Sequence, residues 1–434
     1  MAGKRDFGSF HSSNVEELIS AEEERYVAPA LPCDLPDMSG YKSDPSSLPE
    51  FGLEMKKKHF LLEEDCTFIN HGAFGAVLKD ALHAAQTWQY HIEKQPLRFF
   101  DRESLPHLVF VVRRLAKFVG CQPPGLLLLP NVTAAINCVI KSINFEPGDI
   151  IYCLNVTYGA VKKLLKHISI TKGAVIQEEA LTFPLISNEQ IVETVKKSLK
   201  VGTRLAVFDH IPSNTAFILP IKELVAICHE RGVPVLIDGA HALGTLPLDL
   251  DELDADFYTS NAHKWFCCPK GCAFLHVGKK WRSVVRPLVV SHGWGSGFSS
   301  EFMWSGLRDY SSFLALHTVL DFWEAVGVER IRKYNHQLII DAANCLIQAW
   351  KTDLLAPLDM CGSMALVRLP PTKSAFNKIV NYSAAEIIQN QLYHNHNIEV
   401  PIKAVDGKLY VRISAHIYND LSEYETLAKA IHSM

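Results

Sequence analysis

Residues 233–241 read VPVLIDGAH, an apolar run that ends in the acid Asp238. A run of this length without polar alternation is typical of a β-strand whose two faces are both buried. The helical pattern of residues 220–231 precedes it, with Pro220 suited to the first helical position and Gly232 to the stop. The stretch therefore predicts a helix followed by a buried strand, with Asp238 at the carboxyl end of that strand.

The same alternation extends over much of the chain. Further short apolar runs that suit buried strands occur at residues 126–129, 150–154, 204–209, 257–260 and 272–277. Helical patterns separate most of these runs. Alternating strands and helices predict an α/β fold built on a mostly parallel, doubly wound sheet. Sheets of this kind bind ligands at the carboxyl ends of their strands, which is where Asp238 falls.

The length of 434 residues predicts two closely packed domains. We expect residues 1–58, which are rich in charge and proline, to form a flexible or surface-draped arm. Residues 59–325 are predicted to form a large domain whose first segment packs on the small one. Residues 326–434 contain long helical patterns and apolar runs at 364–369 and 408–413, and they predict a smaller α+β domain.

Composition argues against several classes of function. The net charge of −4 offers no electrostatic footprint for nucleic acid or for an anionic membrane. The 11 cysteines are scattered and odd in number, unlike a secreted disulfide framework. No apolar run approaches the roughly 18 residues of a membrane span, and the charged start MAGKRD lacks the apolar part of a signal peptide. We therefore expect a cytoplasmic protein without nucleic-acid or membrane partners.

Lys264 stands 26 residues after Asp238, just beyond the next predicted strand. A lysine in a partly apolar site has a lowered pKa, and its amine can hold an aldehyde cofactor as a Schiff base. A strand-end carboxylate can keep a pyridine nitrogen protonated, so that the ring accepts electrons from a substrate carbanion. The pair predicts a pyridoxal-phosphate (PLP) site. Each residue alone also fits a plainer interpretation, a solvated lysine and a turn-forming acid.

Four more residues are placed to reach the same cofactor. Thr133 is predicted to cap the helix after the run 126–129 and to bind a phosphate at that helix N-terminus. Tyr158 is placed to stack on a pyridine ring, and Ser213 and His241 are placed to hydrogen-bond the cofactor 3-hydroxyl. The alternatives are an ordinary cap, a core tyrosine, a loop turn and a packed histidine.

Arg412 lies in the predicted strand 408–413 of the small domain. A guanidinium group can bind an α-carboxylate with two parallel hydrogen bonds, which would make an amino acid the substrate. The alternative is a salt bridge within the small domain.

Taken in order, these residues resemble a known family. Thr133, Tyr158, Ser213, Asp238 with His241, and His263-Lys264 resemble the ordered motifs of the class V aminotransferases, which are fold-type I PLP-dependent enzymes. The isopenicillin-N epimerase-like branch, which neighbours the hercynylcysteine sulfoxide lyases, is the most similar. It also resembles the chain in the stretches FINHG (68–72), FFDRE (99–103), SNAHKW (260–265) and RISAH (412–416). The resemblance covers roughly residues 60–425.

The resemblance implies a fold-type I architecture with a large PLP-binding domain, and a homodimer that completes the active sites. It implies Asn261 and His263 as further cofactor ligands. It also implies Asn70, His71 and Arg102 as substrate-binding residues beside Arg412, and it implies no metal.

The chain departs from the family pattern at two places. Leu307 stands where the branch has a threonine that reaches the phosphate of the neighbouring subunit, and leucine has no such donor. Cysteine desulfurases carry a mobile cysteine shortly before the residue equivalent to Arg412, whereas the nearest upstream cysteine here is Cys361. We therefore do not expect a persulfide-forming desulfurase.

These motifs are compatible with several reactions. By family analogy we place a C–S lyase acting by β-elimination on a sulfur-containing amino acid first, and an amino-acid epimerase or aminotransferase second. An alternative from another class is a catalytically inactive or zinc-binding scaffold. It rests on the cluster of His263, Cys267, Cys268, Cys272 and His276, whose spacing fits no common zinc pattern.

Overall fold

The computed structural model describes residues 12–370 and 380–434. The strands are β1 (Thr67–Phe68), β2 (Leu126–Leu129), β3 (Ile150–Leu154), β4 (Val175–Glu179), β5 (Thr203–Asp209), β6 (Val235–Asp238), β7 (Phe257–Asn261), β8 (Ala273–Val277), β9 (Met364–Arg368), β10 (Ile398–Glu399), β11 (Ile402–Val405) and β12 (Lys408–Ser414). The helices are α1 (Ser12–Ser20), α2 (Ser39–Ser43), α3 (Leu53–His59), α4 (His71–Phe74), α5 (Lys79–Lys94), α6 (Pro96–Arg98), α7 (Ser104–Val119), α8 (Val132–Ser142), α9 (Gly159–Lys172), α10 (Asn188–Ser198), α11 (Ile221–Glu230), α12 (Leu250–Leu253), α13 (Phe298–Met303), α14 (Ser311–Leu314), α15 (Leu316–Val326), α16 (Val328–Trp350), α17 (Tyr382–His396) and α18 (Leu421–Ser433).

A large sheet with the strand order β2-β8-β7-β6-β5-β3-β4 forms the centre of the molecule. Strand β8 is antiparallel to both of its neighbours, and the other pairs are parallel. This confirms the prediction of a mostly parallel α/β sheet. The apolar runs missed β4, because this edge strand carries the polar sequence VIQEE and is only partly covered.

Helices cover both faces of this sheet. Successive side chains of a strand point to opposite faces, so neighbouring residues show what covers each face. Leu127 and Leu129 of β2 pack with α8 and α9 on one face. Leu126 and Leu128 pack with α7 and α15 on the other face. This two-sided burial explains why the strands are uninterrupted apolar runs.

A second, smaller body follows α16. Strands β11, β12 and β9 form an antiparallel sheet, against which α16 and α18 pack. Strand β1, from the beginning of the large unit, pairs in parallel with β10 of this smaller body. The C-terminal part is therefore an α+β layer that is tied to the first strand of the chain.

The N-terminal segment lies along the large unit from Val15 onward. Val15 and Ile19 of α1 are buried against the core. Arg113 of α7 donates hydrogen bonds to the carbonyl oxygens of Leu18, Ile19 and Ala21 at the end of α1, and it pairs with Glu23. Through these contacts, residues 15–25 pack on the surface of the large unit. The limits of the domains stay predictions.

Among the described helices, none combines the length and the apolar character that crossing a bilayer requires.

Candidate active site

The carboxyl ends of five strands meet at one edge of the large sheet. A cavity of about 170 Å³ opens there. It is lined by Ala73, Phe74, Asn131, Val132, Thr133, Ile136, Tyr158, Val161, Asp209, Ile211, Ser213, Asp238, Ala240, His241, Asn261, His263 and Lys264. Polar residues reach this cavity from the ends of five strands that run in the same direction, namely β2, β3, β5, β6 and β7.

Lys264 lies just after β7, in a backbone segment that is tightly held. His71 donates a ring hydrogen bond to the Lys264 carbonyl oxygen over 3.1 Å. Gly75, with a φ of +70°, lies directly against this segment. A Cβ added at this glycine would lie 2.7 Å from the Lys264 Cα. A side chain at position 75 would therefore push the lysine backbone out of place.

The Lys264 amine is buried among charged groups. Burial lowers the pKa of Lys264 to about 8, the nearby Asp238 and Asp209 oppose this lowering, and Arg412 adds to it. A neutral amine is thus within reach near neutral pH, which a nucleophile that attacks an aldehyde requires.

Two buried carboxyl groups form the acidic floor of the cavity. Asp209 ends β5 and Asp238 ends β6, and the two residues face each other in the pairing of these strands. Burial raises the pKa of both carboxyls, and Asp238 adds to the rise at Asp209. Asp209 accepts a hydrogen bond from the backbone N–H of Tyr158, and Asp238 accepts one from that of Ala240. A cation placed on this floor would relieve the cost of burying the charges.

Sequence reasoning missed Asp209. A signal was present, since the residue ends an apolar run just as Asp238 does. Its meaning depends on β5 and β6 being neighbours, which the sequence does not state.

The N-terminus of α8 also lines the cavity. Asn131, and not Thr133, is the N-cap, because its side chain accepts the hydrogen bond from Ala134 N. Thr133 is exposed in the first turn, and the Val132 N–H is bound by the Asn261 side chain. The cap prediction for Thr133 was therefore wrong by two residues, although its hydroxyl still lies at a helix N-terminus that favours anions.

Tyr158, Ser213 and His263 also border the cavity. Tyr158 precedes α9 and is 43% exposed, so its ring is open to a ligand. His263 donates its Nδ1 hydrogen bond to the Cys272 carbonyl oxygen over 2.8 Å, and burial lowers its pKa to about 4. The ring of His263 is therefore fixed in direction and neutral at physiological pH.

Arg412 is buried beside the cavity and connects two of its neighbours. Its guanidinium donates to Ser213 O at 2.6 Å, to Ser213 Oγ at 3.1 Å and to Asn70 Oδ1 at 3.0 Å. All three acceptors are uncharged. Burial lowers the pKa of Arg412 to about 10, so the group still carries its charge at neutral pH. A buried cation bonded to neutral oxygens is suited to receive a carboxylate.

Two predicted site residues lie elsewhere. His71 is fully buried against the Lys264 backbone, and Tyr418 donates to its Nδ1. Arg102 is exposed on the π-helical turn Phe99–Glu103, where it pairs with Asp101 and lines a different cavity beside α1. Within one chain, Arg102 is therefore not part of the cavity at the strand ends.

The histidine and cysteine atoms in the described ranges that lie close enough together to share an ion belong to His71, Cys267 and His416. This group differs from the cluster noted in the sequence. The ring nitrogens of His71 already bond Tyr418 and the Lys264 carbonyl.

The sequence pattern of the family "Aminotransferase class-V" matches residues 111–427. The chain belongs to the class V aminotransferase family. A probable chloroplastic L-cysteine desulfhydrase of Arabidopsis thaliana is 32% identical over 90% of this chain and 87% of its own length. An isopenicillin N epimerase of Amycolatopsis lactamdurans is 29% identical over 86% of this chain and 96% of its own. The structure of the cystine C–S lyase C-DES with its product cysteine persulfide superposes with a TM-score of 0.73 at 20% identity, covering 85% of this chain and 97% of the other.

These findings confirm the predicted family and fold, and with them a PLP-dependent enzyme. The cavity also fits this cofactor on its own chemistry. It offers a buried lysine of lowered pKa, an acidic floor that favours a protonated ring nitrogen, and a helix N-terminus with an exposed hydroxyl for a phosphate.

Proposed function

We propose that this class V aminotransferase is a C–S lyase, which removes the sulfur of cysteine or of a cysteine derivative by β-elimination. The observation that carries the proposal is the cavity itself, where the buried amine of Lys264 interacts with two buried carboxyls, Asp209 and Asp238. The nearby Arg412 donates only to uncharged oxygens among the described residues. The desulfhydrase relative, similar over nearly the whole chain, supports cysteine as the first substrate to test. With cysteine and water, the products would be pyruvate, ammonia and hydrogen sulfide.

We propose the following cofactor-binding roles. Lys264 is the residue that holds the cofactor covalently, and Asp238 pairs with the ring nitrogen. Tyr158 stacks on the ring, because its exposed side chain borders the cavity after β3. The remaining cofactor-binding residues are Thr133 and His263 toward the phosphate, Ser213 and His241 toward the 3-oxygen, and Asn261 as the support of the α8 N-terminus.

When bound, PLP supplies a protonated pyridine ring that takes up the electron pair left at the substrate Cα. The residues of this chain would do the rest. Arg412 holds the α-carboxylate, and Asn70 orients the guanidinium through its 3.0 Å hydrogen bond. Lys264, once free, takes the proton from Cα, since its lowered pKa suits a base near neutral pH. His71 fixes the backbone of Lys264 through its hydrogen bond to the carbonyl oxygen.

The cysteines favour elimination over persulfide formation. Cys361 is buried, and burial raises the pKa of its thiol to about 12. The sequence contains no cysteine between Cys361 and Arg412. A desulfurase needs a reactive thiolate that reaches the substrate sulfur, and no cysteine lines the cavity at the described strand ends.

The epimerase relative supports a second candidate, racemisation at Cα, in which the proton returns from the opposite face. An amino-acid panel separates the reactions. Elimination yields pyruvate, ammonia and sulfide from cysteine; epimerisation yields deuterium exchange at Cα with inversion; and transamination yields a keto acid without sulfide. Exchange without sulfide would overturn the lyase proposal in favour of epimerisation, and no product from any amino acid would favour an inactive family member.

The Lys264→Ala variant tests the cofactor assignment. We expect borohydride to attach PLP covalently to the wild-type peptide containing Lys264 and to leave the variant unlabelled. Lys222→Ala is the control, because Lys222 is a surface lysine paired with Glu252. A labelled Lys264→Ala protein would show that another lysine holds the cofactor.

We further propose a homodimer and a cytoplasmic location. The family resemblance supports the dimer, and exposed apolar side chains such as Phe74, Trp294 and Leu307 are candidates for its interface. Light scattering at micromolar concentration tests it, and a monomer that retains full activity would contradict it. Eleven free cysteines support a reducing compartment.

A further inference from the structure

His241 is held between two neighbours that are adjacent in the sequence. The Trp265 indole Nε1 donates to His241 Nδ1 over 3.1 Å, and His241 Nε2 lies 3.2 Å from the Lys264 amine. His241 is 2% exposed and Trp265 is 1% exposed, so water does not compete for these bonds.

These contacts decide where the imidazole proton resides. An indole nitrogen carries a hydrogen that it can only donate. The Nδ1 atom of His241 must therefore be the bare, accepting nitrogen. In a neutral ring the proton then lies on Nε2, the nitrogen that faces Lys264 and the cavity.

The surroundings keep the ring neutral. Burial lowers the pKa of His241 well below its ordinary value, and the cationic neighbours Lys264 and Arg412 lower it further, together with His71. The carboxyls that face Lys264 from β5 and β6, Asp209 and Asp238, act on the lysine. A protonated His241 would also place a hydrogen on Nδ1, directly against the indole N–H.

Trp265 itself is fixed from the other side. His416 donates its Nε2 hydrogen bond to the Trp265 carbonyl oxygen over 3.1 Å, and the His416 ring is stacked on that of His71. The backbone of residues 264 and 265 therefore has a histidine bonded to each carbonyl. The indole ring itself packs against the ring of His71, with 4.8 Å between the ring centroids.

We propose that Trp265 is a positioning residue of the active site, which fixes His241 in the Nε2–H tautomer so that the ring only donates toward Lys264 and the cavity. A ring that only donates favours a neutral amine at Lys264, which accepts, over an ammonium group, which cannot. For the same reason it favours a negatively charged oxygen on a bound ligand over a hydroxyl donor. The tautomer follows from the contacts alone, whereas its use at Lys264 rests on the proposed function.

The tautomer is measured on the apoenzyme by ¹⁵N NMR of protein labelled at histidine, with His241 assigned from the spectrum of His241→Gln. We expect a protonated Nε2 and a bare Nδ1 in the wild type. In Trp265→Phe, which keeps an aromatic ring and loses the donor, we expect Nδ1 to gain proton occupancy. Trp323→Phe is the matched control, since Trp323 is equally buried but donates to the carbonyl oxygen of Phe266.

A second readout follows the Lys264 amine directly. In Trp265→Phe, Nε2 becomes free to accept from a protonated Lys264, so the pKa of the lysine rises. Trapping of pyridoxal by the apoenzyme with borohydride, measured on the Lys264 peptide, should then slow at pH 7, by about tenfold for each unit of rise. The Trp323→Phe protein should keep the wild-type rate.

The outcomes are distinct. A wild-type His241 protonated on Nδ1 overturns the proposal, whether or not Trp265→Phe folds. An unchanged tautomer and trapping rate in a folded Trp265→Phe protein also overturn it. If the tautomer responds as expected but no pyridoxal is trapped at Lys264 even in the wild type, the proposed cofactor lysine is wrong while the role of Trp265 in the tautomer stands.

Discussion

The role of Arg412 leads to the sharpest prediction. Replacing it by glutamine removes the positive charge that we propose binds the substrate α-carboxylate. Truncating one partner of a buried, hydrogen-bonded charge pair costs about 2–5 kcal/mol of binding free energy. The guanidinium already spends three hydrogen bonds on Ser213 and Asn70, and a substrate must displace part of them. We therefore expect the lower part of the range, about 2–3 kcal/mol, or roughly 30- to 150-fold in Kd.

The assay compares two ligands that differ only in the carboxylate. L-Alanine and ethylamine both carry the amine, and neither has a β-leaving group, so neither is turned over by the proposed elimination and their Kd values can be read from the visible spectrum of the holoenzyme. The wild type should prefer L-alanine strongly. In Arg412→Gln this preference should fall by the factor above, while ethylamine binds unchanged.

Arg368→Gln is the matched control. Arg368 lies on the neighbouring strand β9 and pairs with Asp353 at 2.8 Å, outside the cavity. Its loss should leave the preference for L-alanine intact. If a folded Arg412→Gln protein retained the wild-type ratio of the two Kd values, Arg412 would not be the carboxylate ligand.

Three further predictions concern the cofactor cavity. Thr133→Val should weaken PLP binding to the apoenzyme by about 10- to 150-fold, which corresponds to the loss of a hydrogen bond to a charged group. The control Thr426→Val, at an exposed threonine of α18, should bind PLP like the wild type. An equal PLP affinity of the two variants would exclude the Thr133 hydroxyl as a phosphate ligand. Burial raises the pKa of Asp209 above its value in the unfolded chain, so the charged carboxylate destabilises the fold only above pH ~4. Asp209→Asn should therefore raise the apoenzyme Tm at pH 7 and leave it unchanged at pH 3. An equal rise in Tm at both pH values would contradict the raised pKa. Gly75→Ala and Gly407→Ala share a positive φ, which should cost each variant about 1–3 kcal/mol of unfolding free energy in urea titrations. Only the Cβ at position 75 meets neighbouring atoms, so Gly75→Ala should lose more stability than Gly407→Ala and should also bind PLP more weakly; an equal PLP affinity in the two variants would refute the tight packing at position 75.

Sequence patterns located the large sheet well, for a physical reason. Its central strands are buried on both faces, so each is an apolar run that stands out from the helices around it. The edge strand β4 escaped because it is polar and half covered. The N-cap of α8 was misplaced by two residues, because Asn131 and Thr133 are both good capping residues and only the hydrogen bond to Ala134 N distinguishes them.

The sequence by itself determined the order of the chemical groups: a polar residue after each central strand, and a lysine after β7. These are local properties of single segments. Only the tertiary structure decided which groups meet. It set Asp209 opposite Asp238 through the β5–β6 pairing, joined Arg412 to Asn70, and placed Arg102 beside a different cavity. It also gave Trp265 its contact with His241, because a hydrogen bond between side chains 24 residues apart depends on the path of the backbone between them.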